Sequence, residues 1–213
     1  MQFLNVSDMQ AALLHTASVI IENEPMLTEL DTRIGDGDHG IGMKAGFQAL
    51  EAELSAGPKA DFYSLFRESG ITLLRAMGGA SGVILCTLLL GGVDALRGID
   101  EMDARMLTEF FEKGVEAVRR RGRARPGQKT MVDALVPAAE SMRACVEQGG
   151  DVSLTLLAGE AGAAYGAEST RDMMSRVGRS RNFAEETLGI PDPGAVSISL
   201  FFRGLSEWAR KRT

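Results

Sequence analysis

The chain has 213 residues, 45% hydrophobic and 24% charged, a globular balance that excludes wholesale disorder. Its 23 basic and 29 acidic side chains leave a net charge of −6, which speaks against broad binding to nucleic acid or to an anionic membrane. This length suits one domain over residues 1–213 better than two.

Helical periodicity runs through the whole chain. Met9, Leu13, Thr16 and Ile20 share a face after Ser7 or Asp8 as the N-cap. Pro25 to Leu30 suggests a short extra turn. Met43, Phe47, Leu50 and Leu54 mark the next helix, and Asp61 caps one from about Phe62 to Met77. Ser81 opens a nearly all-apolar segment to about Leu96, which belongs deep in the core. Asp103 caps a helix whose Leu107, Phe111, Val115 and Val118 align. Thr130 to Glu147 carries Met131, Leu135, Met142 and Cys145, with a kink expected at Pro137. Ser153 to Glu168 is rich in Ala and Gly, which permits close helix contact. Asp192 followed by Pro193 gives an N-cap and a first-turn proline for a last helix through Val196, Leu200 and Trp208. These make about eight principal helices and an all-α fold. No stretch alternates as a strand does, and Ile198 to Phe202, strand-like in composition, is assigned to the last helix. Most connections are short, which favours antiparallel neighbours. Arg119 to Lys129 and Gly178 to Pro191 are longer, as functional loops often are.

The first ten residues lack the basic start and apolar core of a secretory signal. The longest apolar run, Val83 to Leu90, is far shorter than the ~18 residues of a membrane span. Cys86 and Cys145 each sit in an apolar helical pattern and read as reduced core residues. A cytoplasmic protein without a membrane or nucleic-acid partner is expected.

The most informative segment runs from Leu30 to Gly40 and holds Asp31, Asp36 and Asp38 with Gly35, Gly37 and Gly40 between and after them. Carboxylates held this close repel unless a cation neutralises them, and oxygen-only ligands suit a hard ion such as Mg²⁺. An EF-hand fails: counted from Asp36 the twelfth residue is Phe47, and counted from Asp31 the third and fifth are Arg33 and Gly35. Zinc is disfavoured by one local His and no nearby Cys. The competing interpretation is a solvated turn with capping aspartates.

Two glycine-rich turns lead into helices, Met77 to Gly82 and Asp192 to Gly194, and the stretch from His39 toward Met43 has the same form. Such entries present backbone N–H groups and a positive dipole end to anions, although most are ordinary caps. None has a Walker A or Rossmann pattern. Three aspartates, two Mg²⁺ and ADP together carry about −2, which arginines and helix dipoles can offset. Arg179, in the long loop, is the arginine best placed by context.

Together these segments resemble a known family, the nucleotide-binding L subunit of dihydroxyacetone kinases. The matching stretches are Ile34 to Gly40, Gly78 to Gly82, Gly127 to Ala134 and Asp192 to Ala195, in the family's order. The resemblance implies a closed barrel of eight antiparallel helices with the nucleotide at one end. It implies two Mg²⁺ held by Asp31, Asp36 and Asp38, and phosphates bound along His39, Gly40, Ile41 and Gly42 and at Ala80 and Ser81. Gly122 and Met131 match nucleotide contacts around the base, and Arg179, Asp192, Pro193 and Gly194 the remaining ones. Arg179 is also the implied catalytic group, and His39 is implied to bind rather than to act as a base. His15 is left as structural or exposed.

In that family a separate K subunit holds a short ketose through a histidine, and nothing in this chain looks like it. The implied activity is phosphoryl transfer to that ketose, with ATP as the donor in one branch. In the other, ADP stays bound and is rephosphorylated by a phosphotransferase-system M subunit. The chain departs from the family from Ser180 to Thr187 and has Gln128 where Asp is usual. A four-carbon ketose is therefore an alternative substrate. A regulatory Mg-nucleotide-binding partner without turnover and a purely structural bundle are the competing function classes.

Overall fold

The computed structural model describes residues 1–122, 124–177, 181 and 185–212. Five of its described helices begin at a side-chain cap. Among the described residues the helices are α1 (Val6–Glu22), α2 (Glu24–Ile34), α3 (His39–Ser55), α4 (Phe62–Met77), α5 (Gly79–Leu90), α6 (Ala104–Gly122), α7 (Val132–Glu147), α8 (Val152–Ser169) and α9 (Pro193–Arg210). The Asp61 carboxylate accepts from the Ser64 amide at 2.7 Å to start α4, and Asp103 accepts from Met106 at 2.8 Å to start α6. Asp151 and Asp192 cap α8 and α9 in the same way.

Three expectations need correction. The cap of α1 is Asn5, not Ser7 or Asp8: Asn5 Oδ1 accepts from the Asp8 amide, and Asp8 returns the bond to the Asn5 amide. The expected turn at Pro25 to Leu30 is the full helix α2, which carries Asp31 in its last turn. Two three-residue strands are present, β1 (Phe3–Asn5) and β2 (Glu101–Asp103), paired antiparallel with Leu4 opposite Met102. Three residues are too few for alternation to register in the sequence.

The apolar window from Gly79 to Leu96 also runs longer than the sequence reading allowed, and by length and composition it could cross a membrane. The α-helix within it nevertheless stops at Leu90, and a 3₁₀ turn follows at Val93–Leu96. Leu85, Leu88 and Leu89 are buried in the core.

The packing closes a ring. In order, α1, α3, α4, α5, α6, α7, α8 and α9 each pack on the next, and α9 packs back on α1. Eight helices thus enclose the core, and α2 lies against α3 and α9. Stacked and edge-on rings run through the centre, from Phe62 and Phe66 through Phe110 and Phe111 to Phe201 and Phe202. The tightest seam joins α7 and α8, where a Cβ added at Gly166 would lie 2.1 Å from the Asp133 carbonyl oxygen. His15 is half-buried and meets Glu207 at 3.1 Å, linking α1 to α9. Cys86 and Cys145 are both free thiols, the first buried and the second half-buried.

Candidate functional site

One end of the ring gathers the N-termini of α3, α5, α7 and α9 with the C-termini of α2 and α6. Antiparallel neighbours produce this alternation, since every second helix then points the same way. A cavity of about 460 Å³ opens there. It is lined by Asp31, Ile34 and Gly35 from α2 and its exit, His39 from α3, and Ala80, Ser81, Val83 and Ile84 from α5. Val118, Arg121 and Gly122 from α6 face Lys129 to Val132 at the start of α7, and Asp192 to Gly194 open α9. Aliphatic side chains thus line part of the cavity, and helix N-termini with their positive dipole ends line the rest.

At the rim, Asp31, Asp36 and Asp38 each bring a carboxylate oxygen within 4.8 Å of the others. Local sequence dictates this. Asp31 ends a helix, the chain turns at Gly35 and Gly37, and Asp38 begins the next helix. A Cβ at Gly35 would lie 2.3 Å from Asp31 Oδ1, so only glycine leaves that carboxylate room. Gly37 sits at a φ of 76°, which glycine adopts without strain. An all-oxygen donor set of three carboxylates, two of them exposed, fits a hard divalent cation that keeps waters or phosphate oxygens in its remaining positions.

His39 stands between this cluster and the helix ends. Its amide donates to Asp31 Oδ2 at 3.1 Å. Its ring touches two hydroxyls, Ser81 Oγ at Nδ1 and Ser197 Oγ at Nε2, each at 3.2 Å. Ser197 donates its own proton to the Gly194 carbonyl. That leaves the Ser197 oxygen to accept from Nε2–H, and Nδ1 to accept from Ser81. Burial lowers the imidazole pKa, against the pull of the Asp31 carboxylate and the Pro193 carbonyl. A neutral ring with both nitrogens engaged is a spacer between α3, α5 and α9.

Asp192 is buried, and its Oδ2 caps α9 by accepting from the Ala195 amide at 2.7 Å. Burial raises its pKa to about 7, against the Ala195 bond and the Lys129 ammonium, while Asp133 and Asp31 push it further up. A partly neutral carboxyl lowers the repulsion that an anion entering the cavity would meet.

The structure therefore brings Asp31, His39, Ala80, Ser81, Gly122, Met131, Asp192, Pro193 and Gly194 to one cavity, with Asp36 and Asp38 at its rim. Gly40, Ile41 and Gly42 continue the first turn of α3 without lining it, and Ile41 is 59% exposed. Arg179 lies outside the described residues, as do residues 180 and 182–184 of the divergent stretch.

Sequence reasoning missed Lys129, Asp133 and the aliphatic wall. Asp133 accepts from the Gly127 amide at 2.5 Å and from the Thr130 amide at 2.7 Å. Its signal was present, a Thr followed three residues later by an acid before an apolar run.

A ring of helices with an acid-rimmed cavity at one end is the geometry this chain brings to the comparisons with known proteins. The DAK2 domain family matches residues 33–207, and the chain belongs to it. A relative from Escherichia coli (strain K12) named PEP-dependent dihydroxyacetone kinase, ADP-binding subunit DhaL, is 36% identical over 185 residues, 87% of this chain and 88% of its own. An L-erythrulose 1-kinase from Mycolicibacterium smegmatis is 33% identical over 89% of this chain, which spans only 33% of that protein. The crystal structure of the dihydroxyacetone kinase from C. freundii in complex with AMP-PNP and Mg²⁺ superposes with a TM-score of 0.74 at 27% identity. That likeness covers 93% of this chain and 33% of the other.

Proposed function

We propose that residues 1–213 act as one cytoplasmic unit, the ADP- or ATP-binding subunit of a dihydroxyacetone-type kinase. The observation that carries this reading is the three-carboxylate cluster at the mouth of a cavity faced by four helix N-termini. Asp31, Asp36 and Asp38 would hold two Mg²⁺, which neutralise phosphate charge when bound. The first turns of α3 and α5 and the Asp192–Gly194 entry to α9 would offer amides to the phosphates. Val83, Ile84, Val118 and Met131 would cover the base. Arg179 would meet the transferring phosphoryl group, spreading its charge as a guanidinium does. The acceptor, a short ketose, would be held by a separate K subunit docked over the cavity mouth.

The erythrulose kinases among the relatives support a four-carbon ketose as a second acceptor. The E. coli relative, named PEP-dependent and ADP-binding, supports a bound ADP recharged from phosphoenolpyruvate rather than free ATP, and the M subunit of a phosphotransferase system would be the partner that recharges it. The test is reconstitution with a K subunit, using dihydroxyacetone or erythrulose as acceptor. ATP is compared with a phosphoenolpyruvate-driven phosphotransferase mixture as donor. Product formation that requires this chain is expected. Inactivity with every acceptor and donor, while Mg-ADP still binds, would favour a regulatory partner instead.

A further inference from the structure

Lys129 is 1% exposed, yet it carries an ammonium. Its Nζ donates three hydrogen bonds, all to main-chain carbonyls: Thr170 at 2.6 Å, Thr187 at 2.8 Å and Ile190 at 2.5 Å. These acceptors lie 41 to 61 residues further along the chain. Burial lowers the lysine pKa, and the carboxylates of Asp192, Asp133 and Asp172 oppose that, whereas Arg171 adds to it. Lys129 is also the one described non-glycine residue with positive φ, at 59°. Strain of that kind persists where the surroundings demand it.

The geometry shows what is demanded. Lys129 lines the cavity just before Thr130 and Met131. Ile190 lies two residues before Asp192, which opens the entry to α9. Thr170, whose carbonyl Lys129 holds, also accepts the Asp192 amide on its hydroxyl at 2.8 Å. The Gln128 carbonyl accepts from the Arg176 amide alongside. Across the seam, a Cβ at Gly194 would lie 2.9 Å from Met131 Cγ, so the two walls nearly touch. Two cavity walls far apart in sequence are thus stitched by one ammonium through backbone groups alone. A carbonyl acceptor needs no particular side chain, so the bridge tolerates change in the loop between its anchors.

We propose that Lys129 is a positioning residue: by clamping Thr170, Thr187 and Ile190 it sets the Asp192–Gly194 helix entry against the Met131 wall, and so sets the shape in which the cavity accepts a nucleotide. This rests on the nucleotide reading above. The test is calorimetric titration of Mg-ADP into protein stripped of nucleotide with a chelator, for wild type, Lys129→Met, Lys129→Gln and Asp61→Ala. Asp61→Ala removes the cap of α4, away from the cavity, and controls for lost stability alone. Lys129→Met keeps the stem and removes all three donors. Lys129→Gln keeps two and still decides the matter where the Met variant does not fold.

The expected result is Mg-ADP affinity weakened about tenfold or more in the Met variant and less in the Gln variant. The Asp61→Ala protein, similarly destabilised, should bind as wild type does. Affinity within twofold of wild type in every folded Lys129 variant would overturn the inference. So would weakening in Asp61→Ala equal to theirs, since that would reduce Lys129 to ordinary stability. Wild type that takes up no Mg-ADP would instead overturn the nucleotide reading, and this inference with it.

Discussion

Asp192 shows how one side chain can couple the cavity to pH. An ordinary aspartate releases its proton near 3.8, whereas burial holds this one up to about 7. Between those values the folded protein keeps a proton that the unfolded chain has lost. Stability from this group is therefore full below about pH 4 and declines as pH rises through about 7. Asp192→Asn keeps an oxygen to accept from the Ala195 amide but cannot ionise. Relative to that variant, metal-free wild type should lose on the order of 4 kcal/mol of unfolding free energy from pH 4 to 7. Urea titrations across that range check it, and a constant difference would contradict the assigned environment. At this scale the sequence was legible wherever the chemistry is local. Asp31, Asp36 and Asp38 fall within eight residues, and glycines between them announce a turn. Lys129 was not legible, because its partners come from residues 170–190 and are carbonyls, which every residue possesses.

Helices were read well where a capping side chain precedes an apolar stripe, as at Asp61, Asp103 and Asp192. They were read poorly where the stripe is narrow: α2 buries only Leu27 and Ile34, so its length stayed hidden. The α7–α8 seam offers a test at this scale. Alanine in place of glycine inside a helix normally stabilises it by roughly 0.5–1 kcal/mol. At Gly166 the added carbon would run into the Asp133 carbonyl of α7. Gly166→Ala should therefore destabilise the protein by about 1–3 kcal/mol, because backbone cannot step aside as a side chain can. Chemical denaturation gives the sign directly, and a stabilised variant would mean that the helices are not packed this closely.

Across the whole molecule, ring closure makes the site. Residues separated by up to 163 positions, Asp31 and Gly194, line one cavity because α9 packs back on α1 and α2. Amphipathic patterning could announce the helices but not their closure into a barrel; the barrel came from the family resemblance, the packing agrees with it, and the order around the ring is read from the packing alone. A ligand that bridges α2, α3, α5, α7 and α9 should hold the ring shut. Mg-ADP at a hundred times its dissociation constant should raise stability by about 2.7 kcal/mol, seen as an upward shift in Tm. An unchanged Tm at saturation would contradict a site spanning those helices.

The central claim is that the three aspartates grip metal, and the metal grips nucleotide. Calorimetric titration of Mg-ADP into stripped wild type, Asp36→Asn and Asp38→Asn tests it most directly. The account predicts saturable binding by wild type and at least about tenfold weaker binding by each variant, with their urea midpoints unchanged. Equal affinity in all three proteins would contradict it.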